Sequence, residues 1–402
     1  MLHVRVSDLK PSMVLARPIP MPHRPNSYLL QRNFKLRAAD IRRLEELKVD
    51  SAWIRCEELA FLEEVIDGEL QERQRELYTS IRGNFERVMR FADAQLDFAS
   101  FTNSVKSLFS YLSENSTGLF FLDKVQLFDD YLMCHSANVC YVSLLLGMKL
   151  HWYLAEERRS LQSAEAKDVV TLGLGCLLHD VGKMKIAKEI LDKPGRLTEE
   201  EMRQIKMHPV YGYEMVKGKV PAAAANVVLH HHQRWDGSGY PAPEKGDDRP
   251  KLAGKKIHVF SRIATVGDVF DAITSKRVYS DAKPSVQALA EILKYNRGYF
   301  DPVVERAFFE IMPAFPLGSV VRLNNGFEAA VVDFSPEHPC RPKVKPIRYP
   351  NGEECHYPDN REVDLVDVPE LHIQFVGEID IRPYLFDNPF ARKTHALASA
   401  RY

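Results

Sequence analysis

The chain has 402 residues, of which 45% are hydrophobic and 27% are charged, a length that predicts two or three domains. The formal net charge of −1 excludes the broad basic field of a protein that coats a nucleic-acid polymer. Scattered cysteines without a C-x-x-C pair, no apolar signal-peptide core and no apolar window of about 18 residues predict a cytoplasmic protein without a membrane segment.

Residues 1–66 are predicted to form a small α/β module. Strand-like runs at residues 4–6, 27–30 and 51–54 are separated by prolines that favour turns. Apolar side chains at helical spacing predict a helix over residues 38–47. The segment carries no recognisable catalytic group, so we expect it to be regulatory.

Residues 67–115 are predicted to form a connecting helix. No proline interrupts residues 69–98, and their apolar side chains follow one stripe at helical spacing. This stripe comprises Leu70, Leu77, Ile81, Phe85, Val88, Ala92 and Leu96. It either packs on its own domain or pairs with a second copy in a homodimer, and Gly83 weakens the second interpretation.

The rest of the chain divides into a helix-rich region, a β module and a tail. Residues 116–313 are predicted to be a helical catalytic domain, because they hold most of the conspicuous histidine and aspartate residues. Residues 314–382 are predicted to be a small β module, since Asn-Asn-Gly separates two strand-like runs at 318–334 and further short runs follow. Residues 383–402 show no pattern and are expected to be a loose tail.

Histidine and aspartate residues in the helical region mostly adjoin apolar runs, so we expect them to point toward the core. They are His135, His179, Asp180, His208, His231, His232 and Asp268. Burying so many polar groups is costly unless they are paired or bind a cation. Imidazole and carboxylate together suit Fe, Mn or Zn. Seven donors exceed the needs of one ion, so two divalent metal ions are predicted, a pair suited to phosphoryl transfer.

The segment HHQRWDGSGYP, residues 231–241, predicts a loop directly after two of these histidines. A simple turn is the plain interpretation. Gly237 and Gly239 also allow close approach of the backbone to a ligand, and the Tyr240 ring offers a stacking surface. Lys183, one turn beyond His179, either binds a phosphate or is a solvated lysine.

Residues 129–313 resemble the HD-GYP family, a branch of the HD phosphohydrolases. The likeness is carried by DDYLMCHSANV, LLHDVGKMKI, LDKPGRLTEEEMRQIKMHP, HHQRWDGSGYP and VGDVFDAITSKRVY. The resemblance implies an all-helical domain that hydrolyses c-di-GMP to linear pGpG and, in many members, to GMP. It also implies signalling partners, such as proteins of the GGDEF type.

The resemblance further implies roles for individual residues. Metal binding falls to His135, His179, Asp180, His208, His231, His232 and Asp268. Catalysis falls to His179, Asp180 and Lys183, with a metal-bridging hydroxide attacking phosphorus. Substrate contacts fall to Lys183, Gly237, Gly239, Tyr240, Pro241 and Arg277.

Three positions depart from the family pattern. Gln233 replaces a glutamate after the histidine pair, and we expect its lack of charge to lower metal affinity or rate. Tyr131 stands where members with three metals have glutamate, which favours two metals. Ser280 replaces a basic residue, and Lys276 or Lys283 could compensate.

These departures leave alternatives open. A catalytically weak c-di-GMP sensor or a partner-binding adaptor is one, although an adaptor has no physical need for seven buried donors. Another HD phosphohydrolase, acting on nucleotides or on a different cyclic dinucleotide, is the second, and the Gly-Tyr-Pro loop counts against it.

Overall fold

The structure is a computed structural model that describes the chain outside residues 22–23, 48, 50, 66–67, 91–94, 116–130, 194, 243–250, 276–281, 296, 357 and 392–402. The described residues form an N-terminal α/β module, a helical middle and a C-terminal β sheet, as the sequence predicts. Within these residues, no helix is both long and apolar enough to cross a membrane.

The N-terminal module consists of two short antiparallel strand pairs and one helix. Strand β1 (Leu2–Arg5) pairs with β4 (Ser51–Ile54), and β2 (Ile19–Met21) pairs with β3 (Arg24–Leu30). Helix α1 (Ala38–Glu46) lies between β3 and β4 in sequence and buries Ile41 and Leu44. The strand and helix predictions for this module are therefore confirmed.

The predicted connecting helix is in fact more than one helix. After the short α2 (Phe61–Val65) come α3 (Gly68–Arg90) and α4 (Phe98–Glu114). Asp97 caps the start of α4, because its side chain accepts a hydrogen bond from the Ser100 amide. Helix α3 packs along α4 and against the next long helix. The members of the apolar stripe that are buried in this packing are Leu70, Leu77, Ile81 and Phe85. The stripe thus has an intramolecular role, which favours the first of its two interpretations.

Eleven further helices are described in the helical middle. They are α5 (Tyr131–Lys149), α6 (His151–Glu157), α7 (Ser163–Ala166), α8 (Val169–Leu178), α9 (Lys188–Leu191), α10 (Glu199–Ile205), α11 (His208–Val216), α12 (Ala222–His230), α13 (Val259–Thr274), α14 (Ser285–Tyr295) and α15 (Pro302–Ile311). Helix α8 is apolar on all sides and packs against α4, α5 and α12, while α13 covers α5. An all-round apolar helix is stable only in the centre of a core, so α8 fixes the middle of the bundle.

The C-terminal module is one antiparallel sheet of six strands. These are β5 (Val320–Leu323), β6 (Glu328–Asp333), β7 (Lys343–Arg348), β8 (Val363–Asp364), β9 (Ile373–Val376) and β10 (Ile379–Asp380), in the order β10-β9-β5-β6-β7-β8. The predicted Asn-Asn-Gly turn joins β5 to β6, with Gly326 at φ +87°. Strands β7 and β9 had no clear sequence pattern, since β7 contains Pro346 and β9 has only four residues.

The N-terminal module and the C-terminal sheet lie against each other. His3 forms a parallel bridge with Ser319, and its amide donates to the Gly318 carbonyl at 2.9 Å. Across the same contact, Lys345 Nζ donates to the Glu58 carbonyl at 3.1 Å and Asn360 donates to the Glu58 carboxylate at 3.0 Å. The two modules therefore share an interface although the whole helical domain separates them in sequence.

The expectation of a loose tail is wrong for the residues just after the sheet. Phe386 and Phe390 pack on Phe309 of α15, with ring centroids 6.0 and 5.5 Å away. Asn388 is buried and donates to the Pro336 carbonyl at 2.6 Å. This part of the tail therefore packs against α15 of the helical domain.

Candidate metal centre

The seven predicted donors come together in the centre of the helical domain. They come from α5 (His135), the end of α8 and the turn after it (His179, Asp180), the start of α11 (His208), the end of α12 (His231, His232) and the middle of α13 (Asp268). Five of them are at most 2% exposed, and Asp268 is 7% exposed. The helices thus bring together donors that are up to 133 residues apart in sequence.

Four of the histidines are oriented by hydrogen bonds from Nδ1. The acceptors are the Asp271 carboxylate for His135 (2.7 Å) and the carbonyls of Cys176, Ile205 and Val228 for His179, His208 and His231 (2.6, 2.7 and 2.9 Å). Because Nδ1 carries the proton in each bond, a neutral ring presents the lone pair of Nε2. The four Nε2 atoms point into the same space, which is the arrangement of metal-binding imidazoles.

The chemistry of this donor set fits a cation. Nε2 of His208 and Nε2 of His231 are 3.2 Å apart, and a hydrogen bond between them requires one ring to be protonated twice. Burial lowers the pKa of His231 well below its usual range, which opposes that protonation. Oδ1 of Asp180 is buried without a hydrogen-bond partner, although it lies 3.1 Å from His208 Nε2. A divalent ion between these atoms would satisfy all of them.

Asp180 lies between two groups of donors. Its Oδ2 is 3.3 Å from His179 Nε2 and 3.7 Å from His135 Nε2. Its Oδ1 faces His208 and His231, with the Nε2 atoms 3.1 and 4.0 Å away. The donor atoms of each group, with His232 in the second, lie within 4.8 Å of one another. A carboxylate in this position can bridge two ions.

Asp268 is a second carboxylate shared by the two groups. Its Oδ1 is 3.1 Å from His135 Nε2 and its Oδ2 is 3.4 Å from His232 Nδ1. Burial alone would raise the pKa of Asp268, but the hydrogen bond from His135 and the nearby imidazoles lower it far below its usual range. The site therefore keeps this carboxylate negative, as cation binding requires.

The charge state of His135 depends on the same carboxylates. Burial lowers the pKa of His135, but hydrogen bonds with Asp268 and Asp271 outweigh burial and raise its pKa to about 9. By contrast, burial lowers the pKa of His232 to about 3. A divalent ion bound at His135 would therefore displace a proton, whereas the neutral His232 ring already offers a lone pair.

Lys183 belongs to the site and is not a solvated lysine. Its Nζ lies 2.6 Å from Asp180 Oδ2, and its side chain is 21% exposed. The segment Val181–Lys185 is a short 3-10 helix, which brings residue 183 back over residue 180. Although burial would raise the pKa of Asp180, the charges of Lys183 and His179 hold it well below its usual range. Lys183 thus places a positive charge beside the carboxylate that lies between the two groups of donors.

The loop at residues 232–241 folds back over the donors. The Tyr240 ring stacks on the His232 ring, with centroids 4.5 Å apart and planes 26° apart. The Tyr240 amide also donates to the His232 carbonyl at 3.1 Å. A Cβ on Gly239 would lie only 2.4 Å from that carbonyl oxygen, so this close approach requires glycine.

Gln233, which stands where the family has glutamate, takes part in folding this loop. Its side-chain amide donates to the Pro241 carbonyl at 2.6 Å and so ties the two ends of the loop together. The prediction that the missing charge at this position lowers metal affinity or rate stays a prediction.

The position of the remaining predicted substrate residue is not described. Arg277 lies in 276–281, outside the described residues, together with Lys276 and Ser280. Lys283 is described and donates to the Glu291 carboxylate at 2.9 Å. Because it already has a carboxylate partner, Lys283 is a poor replacement for the missing basic residue at 280.

Asp271 is the functional residue that the sequence reasoning missed. It lies one turn after Asp268 on α13 and holds His135 through the 2.7 Å hydrogen bond. Ser275 Oγ in turn donates to its other carboxylate oxygen at 2.9 Å. The available signal was the i, i+3 spacing of two acids on a buried helix, which puts both on one face.

Two family models match the chain. Residues 146–304 match a family described as an HD domain, and residues 320–379 match a family described as a KOW domain associated with an HD domain. The first match contains six of the seven donors, and His135 lies before it. The second coincides with the C-terminal sheet.

Several curated proteins are similar in sequence. Cyclic di-GMP phosphodiesterase PA4108 of Pseudomonas aeruginosa is 33% identical over 266 residues, which cover 64% of this chain and 59% of that protein. Cyclic di-GMP phosphodiesterase response regulator RpfG of Xanthomonas campestris is 40% identical over 139 residues, 34% of this chain and 35% of that protein. A 3'3'-cGAMP-specific phosphodiesterase 2 of Vibrio cholerae is 36% identical over 136 residues, 33% of this chain and 24% of that protein.

The helical fold and its histidine–aspartate centre agree with the match of residues 146–304 to the HD domain. The matching blocks and the relatives go one step further, and residues 129–313 are similar to the HD-GYP family. It spans less than two thirds of the length of each of these relatives.

Proposed function

We propose that the chain is a metal-dependent phosphodiesterase that hydrolyses c-di-GMP. The observation that carries the proposal is Asp180, whose two oxygens face separate groups of buried histidines while Lys183 lies 2.6 Å away. The names of the relatives from Pseudomonas and Xanthomonas support the choice of substrate. A cytoplasmic location is part of the proposal, because six free cysteines suit a reducing compartment.

In the proposed reaction, water adds to phosphorus and the bond from phosphorus to the 3' oxygen breaks. The 3' oxygen leaves with a proton, which gives linear pGpG, and a second hydrolysis of pGpG gives GMP. Two divalent cations, Fe, Mn or Zn, would supply Lewis acidity when bound. His135, His179, His208, His231 and His232 would hold them together with Asp180 and Asp268.

The chain's own residues have distinct tasks in this proposal. Asp180 and Asp268 stay ionised and span the two groups of donors. Lys183 offers a positive charge beside Asp180, where negative charge develops on the phosphate oxygens. The loop that Gln233 closes covers one side of the centre and would limit how the dinucleotide enters.

The test compares wild-type protein with Asp180→Asn, which keeps the shape and removes the charge. We expect wild type to contain close to two divalent ions per chain and to hydrolyse c-di-GMP. The variant should lose metal and lower the rate at least about 100-fold, as expected for loss of a metal-bridging ligand. Asp367→Asn, a change of the same kind on the exposed C-terminal module, is the matched control.

Two outcomes would overturn the proposal. Equal turnover by wild type and Asp180→Asn would rule out the metal centre as the catalyst. Tight binding of c-di-GMP without turnover in Fe, Mn or Zn would identify a sensor instead. Running 3'3'-cGAMP in parallel separates the two cyclic dinucleotides, since one relative is named for that substrate. A homodimer and a GGDEF-type partner stay predictions.

A further inference from the structure

We propose that Lys206 contacts the substrate and binds the phosphate of the cyclic dinucleotide that does not lie at the metal centre. This inference rests on the proposed function and adds a specificity-determining residue to it. Lys206 belongs to the turn between α10 and α11, two residues before the candidate ligand His208.

The location of Lys206 is at the rim of the site. Its Nζ lies 5.6 Å from the centroid of the Tyr240 ring, and that ring stacks on His232. Lys206 therefore lies beside the loop, and the Tyr240 ring lies between it and the donor His232. Its side chain is exposed, so a ligand that enters from solvent can reach it.

The charge of Lys206 is available to a ligand. Two other lysines of the domain that could serve a phosphate have carboxylate partners, Lys183 with Asp180 and Lys283 with Glu291. Among the described residues no carboxylate pairs with Lys206. Its contact with Tyr240 is near the outer limit of about 6 Å for a cation–π interaction, so a phosphate can replace it readily.

The proposed substrate carries a second phosphate that such a cation could bind. A cyclic dinucleotide carries two phosphodiesters on opposite sides of its ring, and the centre can process only one at a time. The second phosphate needs a positive partner outside the donors. Ser280 lacks the charge and Lys283 is engaged with Glu291, whereas Lys206 is a described lysine beside the loop without a carboxylate partner among the described residues.

The experiment uses Lys206→Met, which removes the charge and keeps the stem, and Lys206→Arg, which keeps the charge. Lys217→Met is the matched control, because Lys217 lies 5.5 Å over the Tyr213 ring at the end of α11. The KM for c-di-GMP should rise about tenfold in Lys206→Met, the effect of one lost charge-assisted hydrogen bond, with kcat nearly unchanged. Lys206→Arg and Lys217→Met should stay within about twofold of wild type.

A second substrate separates substrate binding from damage to the centre. Bis(p-nitrophenyl) phosphate has one phosphodiester, so all variants should hydrolyse it equally and hold equal metal. An unchanged KM for c-di-GMP in Lys206→Met would overturn the inference. A parallel fall in metal content and in both activities would also overturn it, because Lys206 would then only hold His208 in place.

Calorimetry of c-di-GMP binding distinguishes this inference from the proposed function. Binding by wild type that weakens about tenfold in Lys206→Met, without turnover in any metal, would support the role of Lys206 and reject the hydrolase. Wild-type protein that neither binds nor hydrolyses c-di-GMP would overturn both.

Discussion

At the scale of single residues, the support of His135 shows how the centre is tuned. Asp271 accepts the Nδ1 proton at 2.7 Å and is itself held by Ser275 at 2.9 Å. A carboxylate partner fixes the tautomer and makes the ring a stronger donor to a cation. The other oriented histidines donate to carbonyls, so His135 has the strongest support of the four.

Asp271→Asn should therefore weaken the centre without removing a donor. We expect metal affinity to fall about 10- to 100-fold, because the amide keeps the shape and loses the charge. Competition with a chromogenic chelator measures the affinity, and Asp367→Asn is again the control. Equal metal affinities in Asp271→Asn and wild type would show that an uncharged acceptor for the His135 Nδ1 proton supports metal binding as well as a carboxylate does.

The sequence identified the donors better than their surroundings. His135, His179 and Asp268 were recognisable because each interrupts or adjoins an apolar helical run. Burying a polar side chain there is costly unless it has a hydrogen-bond partner or binds a cation. The partner of Asp271 lies 136 residues away, and no local pattern reports such a pair. The hydrogen bond of Gln233 depends on how the loop folds back, which residue types alone do not specify.

At the scale of elements, a close contact fixes the position of His208. The short helix Val181–Lys185 packs on α11, and Gly182 lies at the contact. A Cβ on Gly182 would be 1.9 Å from the His208 carbonyl oxygen and 2.4 Å from the Gly212 nitrogen. Both neighbours are backbone atoms, so the helices would have to separate.

Gly182→Ala should thus displace the candidate metal ligand His208, while all seven donor residues are kept. We expect a loss of about 1–3 kcal/mol in the free energy of unfolding, as for overpacking, together with reduced metal content. Gly83→Ala is the control, because nothing lies within 4 Å of a Cβ there and α3 should gain about 0.5–1 kcal/mol. Denaturant unfolding and metal analysis measure both. Full metal content in Gly182→Ala would contradict the role of this contact.

His258, a histidine outside the metal centre, makes the stability of the protein depend on pH through helix α13. His258 Nδ1 accepts from the Phe260 amide at 3.2 Å and so caps the helix that carries Asp268. Burial, followed by the charges of Arg158 and Arg262, lowers the pKa of His258 from 6.5 to about 4. The unfolded chain therefore binds a proton between pH 6.5 and 4 that the folded chain does not, and acidification through this window lowers stability.

His258→Asn should reduce this acid sensitivity, because asparagine caps a helix without titrating. We expect the free energy of unfolding of metal-free wild type to fall from pH 7 to 4.5 more steeply than that of the variant. The difference should approach 3 kcal/mol, on the order of the linkage limit for such a shift. Urea unfolding at each pH measures it, with the exposed His151→Asn as control. If the free energy of unfolding falls equally with pH in wild type and His258→Asn, His258 is not the source of the acid sensitivity.

At the scale of the whole molecule, the three-part architecture was predictable and the contacts between parts were not. Period and turn signals identify the α/β module, the helical domain and the β sheet, because each is a local property of its segment. The interface of His3 with Ser319 and the packing of Phe390 on Phe309 join segments that no local pattern connects. The boundaries of the predicted domains stay predictions.

The bridge between His3 and Ser319 has a consequence for how the chain is made. On a ribosome, β1 and its paired strand β4 emerge early, whereas Ser319 emerges more than 300 residues after His3. At about 5–20 residues per second this is a delay of about 15–60 s. During that time the helical domain can fold, while the C-terminal sheet cannot yet contact β1. A chain truncated before the sheet could not form this contact, and it would expose that side of β1 to chaperones and proteases.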